Sequence, residues 1–169
     1  MRCLTFVLLF VACHAASPHF NAVTEAARAG EADRVRELVR EGADPNAPAG
    51  GNEWTPLLHA VHKHQVKAAE ALIDAGADIN RAAPNGITPL MMAAGYGHDD
   101  MVAMLLRRGA DAKRTDKDGA SALDFAITGT SDIDELTLFS CQASTVKLLQ
   151  PTNAPVKKSS TRWAGWKRC

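Results

Sequence analysis

Apolar positions in this chain come in short paired blocks, and the spacing inside each block is helical. Val23, Ala26 and Ala27 make one stripe, and Val35, Leu38 and Val39 the next. Leu57, Leu58 and Ala60 precede Val66, Ala69, Leu72 and Ile73; Leu90, Ala93 and Ala94 precede Val102, Leu105 and Leu106. Steps of three and four residues place such side chains on one helical face. The first pair predicts helices from Asn21 to Ala29 and from Ala32 to Arg40, broken by Gly30 and stopped by Gly42, a residue suited to the left-handed position past a last turn. Its polar positions (Glu31, Asp33, Arg34, Arg36, Glu37, Arg40 and Glu41) form a charged exterior, as an end unit with one uncovered face requires. Thr55 and Thr88 stand directly before Pro56 and Pro89. Threonine caps a helix N-terminus, and proline fits the first helical position, where its missing N–H removes no bond.

The blocks repeat. Thr55-Pro56-Leu57 recurs as Thr88-Pro89-Leu90 and again, in weaker form, as Ser121-Ala122-Leu123, each step being 33 residues. Gly42-Ala43-Asp44, Gly76-Ala77-Asp78 and Gly109-Ala110-Asp111 step by 34 and 33. A fixed period of this size marks a stacked array of supersecondary units. Gly86 to Asp111, with Thr88-Pro89-Leu90, Ala93-Ala94, Gly97-His98 and Leu105-Leu106, is the most regular unit, and it resembles the ankyrin repeat family. The resemblance implies an all-α solenoid of about four helix-turn-helix repeats, at about 21–50, 51–83, 84–116 and 117–150. It also implies a non-enzymatic protein-binding module whose partner lies on a concave face of loop tips and first helices. Carried onto this sequence, that face takes Trp54, His62 and Lys63 from the second repeat. The third repeat offers Arg81, Pro84, Asn85, Ile87 and Tyr96, and the fourth Arg114, Lys117, Asp118 and Ala120. Trp54 has a second reading, as a residue packed on its own loop. The third repeat departs from the family at Met91, where His is common and where the second repeat has His59; a slightly softer third repeat is expected.

The fourth repeat departs most. Its Leu148-Leu149 pair comes ten residues late. Ile133, Leu136, Phe139, Ala143 and Val146 keep near-helical spacing through the added segment. A lengthened second helix from about Asp132 to Leu149 is therefore predicted, begun by Ser131 and Asp134 in the manner of a capping box and ended by Pro151.

Composition and charge change the picture mainly at the two ends. The formal net charge is zero, which gives no reason to expect nucleic-acid binding. Met1 and Arg2, the apolar run Leu4 to Ala12 and the exit Ala15-Ala16-Ser17 have the plan of a secretory signal peptide over residues 1–16. That run is too short to span a bilayer as a mature helix. An exported protein, periplasmic or secreted, is the expectation. Val11-Ala12-Cys13 also resembles the end of a lipobox, which keeps open a lipoprotein anchored through Cys13. Residues 17–150 hold 13 basic and 19 acidic residues, a net of −6, whereas residues 151–169 hold five basic residues and no acid. This tail is expected to be disordered. Its Trp163 and Trp166 among Lys157, Lys158, Arg162, Lys167 and Arg168 keep membrane contact open. Cys141 and Cys169 permit a disulfide in an exported chain; a buried Cys141 with a free Cys169, or pairing between chains, are the alternatives. A monomer is expected.

Candidate chemistry is thin. His59, His62 and His64 could offer imidazoles to zinc, but no local cysteine or acid completes a tetrahedral set. Asp132, Asp134 and Glu135 lack the oxygen count and the glycine of a calcium loop. The chain has no Gly-rich phosphate loop and no H-E-x-x-H. No enzyme, metal or cofactor is expected.

Overall fold

The computed structural model describes residues 22–129 and 142–152. The leader, Asp132, Asp134, Glu135, Cys141, Cys169 and the basic tail, and the expectations that rest on them, lie outside the described residues. Among the described residues eight α-helices run in order: α1 Ala22–Ala29, α2 Ala32–Arg40, α3 Pro56–His62, α4 Val66–Asp74, α5 Pro89–Tyr96, α6 Asp99–Arg107, α7 Ala122–Thr128 and α8 Ala143–Leu149. No strand occurs among the described residues.

The starts of α3, α5 and α7 follow their caps. The Thr55 hydroxyl accepts from the Leu58 amide at 3.2 Å, and Thr88 from Met91 at 3.3 Å. Ser121 accepts from Asp124, whose carboxylate accepts in return from the Ser121 amide at 2.9 Å. Met91 returns the favour through sulfur: the Thr88 amide points at Met91 Sδ, 3.4 Å away, and the side chain is fully buried. His59 instead reaches back to the Ala49 carbonyl at 3.3 Å. Met91 and Asp124 thus share one register position, three residues past the cap, where the second repeat has Leu58; His59 lies one residue further along, in register with Met92.

The helices form two layers. α1, α3, α5 and α7 pack side by side, and α2, α4, α6 and α8 lie behind them. Leu57, Leu58, Leu72, Leu90, Met101 and Leu105 are fully buried between the layers, so each repeat completes its core on its neighbours. Polar links run between repeats as well. The Asn46 carboxamide donates to the Gly76 carbonyl and accepts from the Asp78 amide; Asn80 accepts from the Asp111 amide at 2.9 Å. Arg108 and Asp74 pair at 2.5 Å across α6 and α4. At the third junction, Lys113 occupies the asparagine's place, and the Lys117 amide donates to the Asn85 carbonyl at 3.2 Å.

The fourth repeat corrects the expected long helix. Gln142 is not helical: its φ of −83° and ψ of 75° match those of Glu31, Gln65 and His98, the residues before α2, α4 and α6. Its amide donates to the Ala126 carbonyl at 3.0 Å, closing the turn after α7. The second helix of this repeat thus begins at Ala143 rather than Asp132, and the added residues enter at the turn between helices. Gln142 follows His98 by 44 positions where His98 follows Gln65 by 33, so the insertion is eleven residues, not ten. Leu149, buried, takes the place of Leu105, and Leu148 is exposed. α8 caps α6, with the Thr145 hydroxyl donating to the Asp99 carboxylate.

Candidate functional site

The side chains most able to hold a partner lie in a strip of rings across the second and third repeats. Trp54, just before α3, sits edge-on to His62 at its end, with centroids 5.4 Å apart. His62 meets Tyr96, the last residue of α5, at 5.5 Å and 69°. Tyr96 stacks on His98 at 5.5 Å, and His98 on His64 at 4.0 Å with planes 4° apart. His64 ends the strip against Asp100, Nε2 to carboxylate oxygen 2.6 Å. The fold assembles this by register: His62 and Tyr96 close adjacent first helices, and His64 and His98 occupy adjacent turns.

The strip is largely uncharged. Desolvation by burial is the main cause lowering the pKa of His59, His62 and His98; for His98 it falls to about 4, with the His64 charge adding to the effect and Asp100 opposing it. Lys63 and Arg28 lower His62 further by repulsion. Trp54, His62, Tyr96 and His98 are each half-buried, so each ring keeps one face or edge open. Such amphipathic, rotamer-restricted side chains are the usual anchors of protein interfaces.

Three residues expected on the binding face therefore meet: Trp54, His62 and Tyr96. Trp54 answers to both of its readings, since it also packs on the buried His59 at 5.4 Å and its carbonyl accepts from the Ala49 amide. Lys63, Arg81, Arg114 and Lys117 are exposed and make no ion pair among the described residues. No ring contact or hydrogen bond joins Arg81, Arg114 or Lys117 to the strip. Ile87 is half-buried against the core and offers only part of its side chain. His64 does not cluster with His59 and His62; it pairs with His98, which the sequence reading missed. No group of three or more His, Cys, Asp or Glu able to hold a metal ion occurs among the described residues, and no described helix is long and apolar enough to cross a membrane.

Comparisons with known proteins agree with this architecture. The family model described as "Ankyrin repeats (3 copies)" matches residues 3–83, and "Ankyrin repeats (many copies)" matches residues 72–126. Ankyrin repeat and SOCS box protein 6 of Homo sapiens is 33% identical over 108 residues, which are 60% of this chain and 26% of that protein. A putative ankyrin repeat-containing protein of Treponema pallidum is 30% identical over 101 residues, 60% of this chain and 34% of that one. The 2-5A-dependent ribonuclease of Mus musculus is 37% identical over 73 residues, but these are 43% of this chain and only 10% of the ribonuclease. The chain spans about a third or less of each of these relatives.

Proposed function

The chain belongs to the ankyrin-repeat family, and on that premise we propose that it is a non-enzymatic protein-binding module whose partner seats on the strip from Trp54 through His62 to Tyr96. The observation that carries this reading is the continuity of half-open, uncharged rings across two repeats. Rigid aromatic rings bury area on contact at little loss of side-chain freedom. Lys63, Arg81, Ile87, Arg114 and Lys117 are assigned to the surrounding rim, where charges steer and orient more than they bind.

The partner is taken to be met outside the cytoplasm, because residues 1–16 have the plan of a secretory signal. In a periplasm, a small binding module of this kind would support or inhibit an enzyme, and an inhibitor or immunity role is the sharper form of the proposal. A membrane-tethered scaffold, lipidated at Cys13 or held by the basic tail, is the second reading. Mass spectrometry of the mature N-terminus tests the lipidated form: a first residue of Ala16 or Ser17 excludes it, and an acylated Cys13 supports it.

The binding face is tested by affinity capture with the mature chain and with its Trp54→Ala/Tyr96→Ala variant, melting curves being recorded for both. A partner held by the parent and lost by a still-folded variant supports the strip. Equal recovery of that partner by both moves the face elsewhere.

A further inference from the structure

The joint between the second and third repeats is built unlike the two joints that flank it. At the first joint, Gly30 in the α1–α2 turn has a φ of +79°, and the space a Cβ would need is filled by the Gln65 carboxamide from the next turn. At the third, Gly97 has a φ of +69° and is covered in the same way by Gln142. Between them, the glycine position holds His64 and the glutamine position holds His98. His64 keeps the left-handed backbone of its glycine counterparts, with φ +55°. A side chain in that conformation is strained, although histidine tolerates it better than most residues. A glycine seat under a carboxamide is thus exchanged, on both sides at once, for two parallel imidazoles in van der Waals contact.

We propose that this pair is a proton-operated joint: with His98 neutral the stacked rings hold the second repeat on the third, and a proton on His98 parts them. The groups facing His98 are His64 from the α3–α4 turn, Tyr96 at the end of α5, His62 at the end of α3 and Asp100 on α6. Only Asp100 carries negative charge, and its carboxylate is already bonded to His64. That bond is the main cause holding the Asp100 carboxyl below its ordinary value. The outer ring therefore holds the carboxylate by a hydrogen bond, whereas the inner ring feels it only at a distance, which opposes the lowering of its pKa without cancelling it; no carboxylate among the described residues bonds the His98 ring. Two protonated imidazoles at a 4.0 Å centroid distance repel one another directly. The flanking joints hold no titratable residue at the equivalent positions, Gly30 with Gln65 and Gly97 with Gln142.

Opening this joint has a local consequence. The His62–Tyr96 contact crosses the same boundary, so the ring strip would divide into a Trp54–His62 half and a Tyr96–His98 half. The joint acts in the isolated chain, whatever the face binds.

The test is thermal unfolding of the full chain between pH 7.5 and 4.5, beside a variant, His64→Gly/His98→Gln, that copies the flanking joints. The parent is expected to lose about 3–6 °C more than the variant as pH falls, and histidine resonances of the native parent should show one ring titrating near 4. Parallel pH profiles would overturn the proposal. So would a His98 resonance titrating at its ordinary value, which is read on the parent alone if the variant does not fold.

Discussion

Replacing Gly86 by alanine isolates the packing between the hairpin loops of the third and fourth repeats. Gly86 has a φ of +90°, and a Cβ there would lie 2.8 Å from the Lys117 nitrogen and 2.9 Å from the Asp116 α-carbon. Both obstacles are backbone, held by the Asp116-to-Ala120 and Lys117-to-Asn85 hydrogen bonds at 2.9 and 3.2 Å, so neither can swing aside as a side chain would. Gly76 is the matched control: its φ is +93°, and nothing lies within 4 Å of its Cβ position. Left-handed strain costs about 1–2 kcal/mol at either site. At Gly86 an overpacking term of about 1–3 kcal/mol is added, with about 1 kcal/mol more if the Lys117 amide loses its acceptor. Gly86→Ala should therefore destabilise by roughly 2–6 kcal/mol and Gly76→Ala by roughly 1–2 kcal/mol. Urea denaturation followed by far-ultraviolet circular dichroism measures both. Equal losses in the two variants would refute the steric argument, because backbone strain would then account for everything.

Asn80→Ala should cost about 1–2 kcal/mol, since it removes the acceptor of the Asp111 amide; hydrogen exchange should accelerate at Asp111 and remain slow at Asp78, which bonds Asn46. Thr88→Ala should cost about 1 kcal/mol through loss of the N-cap, seen as a lowered urea midpoint with little change in slope. Acid should destabilise the parent through His98, and the sign follows from its lowered pKa. Above 6.5 the ring is neutral in both states and contributes nothing. As pH falls from 6.5 to about 4, the unfolded chain takes up a proton that the folded chain refuses, so stability drops. The ceiling is about 3 kcal/mol, roughly halved by solvent screening of a half-open ring. A urea series at pH 7.0 and 5.0 on the parent and on His98→Gln measures that difference.

The helices were legible because their apolar stripes, threonine caps and glycine stops agree with one another in the second and third repeats. The inserted segment misled because Leu148 and Leu149 are adjacent and equally apolar. Pairing both with Leu105 and Leu106 set the register one residue off, and only the buried Leu149 shows which is the core position. Continuous apolar spacing from Ile133 to Val146 likewise hid the turn at Gln142, a residue with no special backbone propensity. Of the ring strip, Trp54, His62 and Tyr96 were readable as departures from their neighbours on an expected surface. His98 was not, since a histidine in that turn stands out only when set beside Gln65 and Gln142. Its signal lay in the alignment of the repeats with one another, where His64 and His98 both depart from their counterparts.

The place of the eleven-residue insertion also bears on how the molecule assembles. In a solenoid of nearest-neighbour units, most contacts are local in sequence and each repeat closes quickly. The fourth repeat must instead bring α8 back to α7 across the whole added segment, and the chain entropy of that closure is lost before Leu149 or Thr145 reaches α6. The first three repeats can therefore close before the fourth. The C-terminal cap then arrives as a late, separable step, leaving the outer face of α6 transiently open to whatever meets the unfinished chain.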